Sequence, residues 1–203
     1  NVERALVSGV TTLCDAGSWN RTAFSLKEGI RQGLVAGPRV MVAGQPVTVT
    51  GGHLWYMGGE ADGPEEVRQR VRTLIKEGAD FIKVIASGGS TVTSDPYRPS
   101  LTVEELKVAT SEAHGRNRPV SAHCRSTVAI NNALDAGVDV IFHCAFYEPD
   151  QSYRYDQATA ERLAEGTTWV NPTLYLGTFR RTQLRAKRER GELNGEEAVM
   201  LER

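Results

Sequence analysis

Three side chains stand where apolar, β-branched runs are interrupted or end. Lys83 lies inside Phe81-Ile82-Lys83-Val84-Ile85, a cation among hydrocarbons. An unpaired ammonium there is costly even after relaxation, and lysine is among the residues least often buried. Three readings follow: an edge-strand lysine reaching solvent, a neutral nucleophilic amine, or a lysine converted by carbon dioxide into a carbamate. A carbamate carries two oxygens and a negative charge and can bridge two metal ions. His123 closes Val120-Ser121-Ala122-His123, and His143 closes Val140-Ile141-Phe142-His143. One such histidine alone is more often a hydrogen-bonded core residue. Two at equivalent positions of successive units, next to the lysine run, point to a shared site. Imidazole nitrogens with carboxylate-type oxygens suit zinc or a similar divalent ion.

The neighbouring cysteines suggest a rival, a Cys2His2 zinc centre. Adjacent strand residues face opposite ways, however, so His123 and Cys124 do not easily share a metal, nor do His143 and Cys144. The cysteines read better as small apolar packers. His53 follows Thr50-Gly51-Gly52 in a glycine-rich loop, where it is either idle or placed to touch substrate and steady an oxyanion. Tyr56 and Arg125 are candidates to face the same cavity and bind substrate. His114 precedes Gly115 and fits a helix C-terminus, where the dipole favours a cation. Ser87-Gly88-Gly89-Ser90-Thr91 resembles a phosphate cradle only weakly.

The elements that position these residues are legible from a recurring junction. A helical pattern ends at glycine and a short apolar run follows, at Gly9, Gly37, Gly78, Gly115, Gly137 and Gly166. Glycine there predicts a left-handed helix cap. The runs are too short for helices, and several lack polar alternation, as in strands covered on both faces. Between them, Val67, Val71, Leu74 and Ile75 share one face after Pro64, and Thr102-Val103-Glu104-Glu105 has capping-box spacing. Helices are also expected over 126–136 and 159–165. Six βα units in series predict a parallel α/β sheet, either an arc of a barrel or an open doubly wound sheet. No Gly-x-Gly-x-x-Gly follows the first strand, which weakens a dinucleotide-binding reading.

Composition sets the outer bounds. The chain has 203 residues, 24% of them charged, and a formal net charge of −1. Near-neutral charge argues against nucleic acid and a membrane surface as partners, and no apolar run is long enough to span a bilayer. Three cysteines (Cys14, Cys124, Cys144) fit reduced thiols and a cytoplasmic setting better than a disulfide framework. The chain opens on Asn1 within what reads as a helix already under way, so a piece of a longer protein is expected. Residues 1–179 form the expected partial barrel, and 180–203 a charged helical extension of the same domain.

Taken together these stretches resemble the amidohydrolase superfamily, in particular its imidazolonepropionase-like and prolidase-like members. The resemblance is carried by Gly9-Val10-Thr11-Thr12 through Asp15-Ala16-Gly17, by Thr50-Gly51-Gly52-His53, and by Gly78-Ala79-Asp80-Phe81-Ile82-Lys83. Ser121-Ala122-His123-Cys124, 137–143 and Trp169-Val170-Asn171-Pro172-Thr173 continue it in order. It implies an incomplete TIM (β/α)8 barrel holding strands two to seven, about six parallel strands alternating with helices. It further implies hydrolysis of amide-type bonds in a small molecule, with Lys83 carbamylated and Lys83, His123 and His143 as metal ligands. No His-x-His occurs, and no eighth strand with its aspartate follows, so this chain alone is expected to be close to inert. Missing barrel segments or a second copy are the expected partners. Two rivals stay open: a Schiff-base lysine aldolase, which Gly-Ala-Asp-Phe-Ile-Lys also resembles, and an inactive self-associating barrel piece.

Overall fold

The computed structural model describes residues 1–202. Its elements are α1 (Val2–Val7), β1 (Thr12–Asp15), α2 (Thr22–Arg31), β2 (Arg39–Val42), a 3-10 turn (Trp55–Met57), α3 (Gly63–Glu77) and β3 (Ile82–Ile85). These are followed by α4 (Val103–His114), β4 (Val120–Ser126), α5 (Thr127–Asp135), β5 (Val140–Tyr147), α6 (Gln157–Glu165) and β6 (Trp169–Asn171). The chain falls into two compact units, Asn1–Asn171 and Pro172–Arg203. The second carries α7 (Leu174–Glu189) and α8 (Gly195–Glu202).

All strand pairs are parallel, in the sequential orders β1-β2 and β3-β4-β5-β6. A parallel bridge between Val47 and Val84 joins the two groups. Strand order therefore never reverses, which removes the doubly wound alternative and leaves an open arc of a βα barrel. Among the described residues no helix is long and apolar enough to cross a membrane.

The core explains which side of the arc is free for chemistry. Val67, Val71 and Leu74 of α3, Leu106, Ala109 and Ala113 of α4, and Ala129 and Ile130 of α5 pack against Ile82, Val84, Ala122, Cys124 and Ile141. Burying each of the larger ones stabilises the fold by about 1.5–3 kcal/mol. Side chains alternate along a strand, so the opposite face carries Lys83, Ile85, Ser121, His123 and Phe142, matched across the ladder.

Capping follows the sequence in part. Thr102 accepts from Glu105 N while the Glu105 carboxylate accepts from Thr102 N, the expected reciprocal box. Gly78 (φ +100°) and Gly137 (φ +73°) take the left-handed cap. The expectation fails at Gly115 (φ −58°), Gly166 (φ −87°) and Gly37. After α4 the left-handed residue is Asn117 (φ +53°), which tolerates that region, and after α2 it is Gly33 (φ +73°). One device recurs at the bottom of the arc. Asp80 accepts from Val42 N at 2.8 Å and Lys27 Nζ at 2.7 Å. Asp139 likewise accepts from Val120 N at 2.7 Å, with His114 Nε2 at 2.8 Å.

Candidate functional site

Lys83 is no edge lysine reaching solvent. Val47 N donates to Lys83 O at 2.8 Å and Ile85 N to Val47 O at 2.8 Å, so β3 is flanked on both sides. The side chain is buried at 4% exposure, and Nζ sits 3.7 Å above the centre of the Phe142 ring. Among the described residues no carboxylate pairs with it, and burial pulls the amine down to about 7. An appreciable share of Lys83 is therefore a free amine near neutral pH.

Three histidines gather over this face. The His53 and His123 ring centroids are 4.6 Å apart, and those of His123 and His143 are 4.5 Å apart. Burial, then the charges of His143, His53 and Lys83, holds His123 down to about 2. His143 is held at about 4 by burial, Lys83 and Arg125, and His53 at about 4 by burial, Arg125 and Lys83. All three are neutral imidazoles at pH 7. Nε2 of His123 lies 3.0 Å from the Gly88 carbonyl, so it donates and the proton sits there. The Nδ1 lone pair of His123 remains for a ligand.

His123 and His143 are not equivalent in register, as the sequence pattern suggested. His123 pairs with Phe142, and His143 with Cys124. Strict alternation would turn His143 toward the helices. Instead the backbone is left-handed at His143 (φ +71°), Cys144 (φ +52°) and Phe146 (φ +51°), which swings the His143 ring back beside His123. Non-glycine residues in that region carry strain of order 1–3 kcal/mol each, held by the surrounding structure.

His53 reaches the cluster from the loop after β2, its ring lying over Gly89. The loop 87–91, read from sequence as a weak phosphate cradle, instead holds this histidine: Nδ1 is 2.8 Å from Thr91 Oγ1. Arg125 also joins the group. Its guanidinium stacks 5.1 Å from the Tyr147 ring centre, NH2 donates to the Tyr147 hydroxyl at 3.3 Å, and Nε is buried without a partner among the described residues. Tyr56 is half exposed, its ring packed on Trp19 at 6.5 Å and Trp55 at 6.3 Å, rather than on the histidines. Cys124 is a buried packer whose Sγ donates to Ala129 O at 3.6 Å, and burial pushes its thiol far up. Sequence reasoning missed the roles of Phe142 and Thr91. The first follows only from the register that pairs it with His123, and the loop holding the second had been marked for a phosphate rather than for His53.

A family model described as the amidohydrolase family matches residues 1–149. The chain belongs to the amidohydrolase family. Ochratoxinase of Aspergillus niger is 32% identical over 172 residues, which cover 72% of this chain and 35% of that protein. Among solved structures, a Xaa-Pro dipeptidase with methionine bound in its active site is 31% identical with a TM-score of 0.77, covering 88% of this chain and 46% of that one. A prolidase complexed with N-methylphosphonate-L-proline is 28% identical with a TM-score of 0.78, covering 98% and 50%. This amidohydrolase chain thus spans about half the length of those structures and about a third of the ochratoxinase.

Amidohydrolases generally use divalent metals, and the donor set here can be tested against one. Among the described residues no three His, Cys, Asp or Glu side chains group as ligands. His123 and His143 can supply two neutral imidazoles, and Lys83, on the same face, is the candidate for a third donor. As an ammonium Lys83 would repel a cation; as a carbamate it becomes an oxygen ligand. The residues fit a metal on that condition.

Proposed function

We propose that the protein carrying this chain hydrolyses the amide-type carbon–nitrogen bond of a dipeptide or N-acylated amino acid, with a divalent ion, zinc first, held by carbamylated Lys83, His123 and His143. The observation that carries this reading is the buried Lys83 amine, paired with no carboxylate among the described residues and held at about 7 beside neutral imidazoles. The free amine attacks carbon dioxide: one nitrogen–carbon bond forms, one carbon–oxygen π bond opens to leave its electron pair on oxygen, and one N–H proton leaves to solvent. When bound, the ion supplies Lewis acidity toward the scissile carbonyl and acidifies water. His53 donates a hydrogen bond to the carbonyl oxygen as negative charge builds on it. Arg125, its buried Nε without a partner among the described residues, takes the substrate carboxylate, with Tyr147 holding the guanidinium plane. Tyr56 keeps at most a role at the rim, with Trp19 and Trp55. The dipeptidase and prolidase relatives point to the same substrate class.

The test is metal uptake by the full chain with zinc and bicarbonate, paired with amide hydrolysis by the longer protein. One bound ion, lost in Lys83→Met and His123→Asn, and hydrolysis abolished by a chelator are expected. No bound ion, or hydrolysis indifferent to the chelator, overturns the reading. Borohydride trapping of a carbonyl substrate on Lys83 would instead favour the Schiff-base chemistry that a depressed amine also permits.

A further inference from the structure

The hydrogen bonds around His53 fix more than its position. Leu54 N donates to Thr91 Oγ1 at 3.1 Å, so one lone pair of that hydroxyl is occupied. Oγ1 in turn lies 2.8 Å from His53 Nδ1. Thr91 N, which can only donate, also points at Nδ1, at 3.4 Å. A ring nitrogen facing a backbone N–H must be the acceptor, and the threonine proton completes the set by pointing the same way. Beneath the ring, a Cβ on Gly89 would fall 2.6 Å from Nε2, so only glycine leaves the imidazole room to lie there.

We propose that Thr91 is a positioning residue: it locks neutral His53 in the tautomer whose proton is on Nε2, making Nε2 a hydrogen-bond donor to the reacting carbonyl oxygen. The lock uses a chain from Leu54 N through the Thr91 hydroxyl to Nδ1, assisted by Thr91 N. With the wrong tautomer, a bare lone pair would meet the developing oxyanion and repel it. The catalytic half of this statement rests on the hydrolase reading above; the tautomer half does not.

The two halves separate experimentally. Long-range proton–nitrogen correlation NMR of the full chain, without metal or substrate, reads the His53 tautomer directly. An acceptor-type Nδ1 and a protonated Nε2 are expected in the native chain. A mixture is expected in Thr91→Val, which keeps the N–H and loses the hydroxyl, with a return to one tautomer in Thr91→Ser. A protonated Nδ1 in the native chain, or an unchanged ratio in Thr91→Val, overturns the lock. The native spectrum decides even if a variant folds poorly. In the active protein, Thr91→Val should lower kcat about tenfold with KM little changed and Thr91→Ser should recover it, a loss below that of deleting an oxyanion donor outright. A shifted tautomer with unaltered kcat overturns the catalytic role of Thr91.

Discussion

The rings of His123 and His143 stand 4.5 Å apart at 70°, although the sheet register offsets the two residues by one and pairs His143 with Cys124. The left-handed turn at His143 (φ +71°) closes that offset. Two substitutions separate backbone from chemistry. His143→Asn keeps a residue that tolerates this region, whereas His143→Val places a β-branched one there. His143→Val should be less stable than His143→Asn by about 1–2 kcal/mol in urea unfolding, and both should lose metal uptake. Equal stability would mean that the backbone is not strained there.

Lys83 should cost stability in proportion to how long its unfolded counterpart stays charged. The folded amine sits at about 7 against an ordinary 10.5, so the unfolded chain binds the proton first as pH falls. Stability is highest above about 10.5, declines toward 7, and is flat in this respect below it. Lys83→Met should remove that slope and stabilise the metal-free chain near neutral pH by about 1–3 kcal/mol. Urea midpoints measured across this range check both.

The histidines open a second, more acidic window. Their folded values, about 4 for His53 and His143 and about 2 for His123, lie below the ordinary 6.5. Stability is therefore whole above about 6.5 and lost as pH falls through about 4. His123→Asn should flatten this decline while leaving the alkaline slope of Lys83 intact. A decline that survives removal of His123, His143 and His53 together would place its origin elsewhere.

Gly89→Ala tests the packing under His53. A Cβ there meets the imidazole at 2.6 Å, an overpacking that should cost about 1–3 kcal/mol. In a His53→Ala background the same change should cost almost nothing, so the double-mutant coupling should be nearly the whole effect. Additive effects would show that Gly89 answers to something other than the ring.

On the helical side, Glu112 accepts from Arg68 at 2.7 Å, Arg72 at 2.9 Å and Arg116 at 2.8 Å, tying α3 to α4. Arg72 leads in holding its carboxyl down to about 2. Glu112→Ala leaves three guanidiniums facing one another and should destabilise the chain by about 1–3 kcal/mol, an effect that shrinks in high salt. Thermal melts at low and high ionic strength read it.

Sequence alone determined the parallel α/β order, the strand runs and the residues worth watching, because apolar runs of strand length between amphipathic helical stretches are local signals. It singled out Lys83, His123, His143 and His53 because polar side chains inside or ending such runs need a reason. Local pattern could not say that Lys83 is sealed by Val47 and Phe142, since one contact comes from the segment after β2 and the other from β5. It placed His143 beside His123 on an equivalence that the register does not keep: His123 pairs with Phe142, and only packing that holds a left-handed backbone at His143 returns its ring to that face. The partnership of His53 with Thr91 spans 38 residues and two loops, and its geometry exists only once the arc has folded.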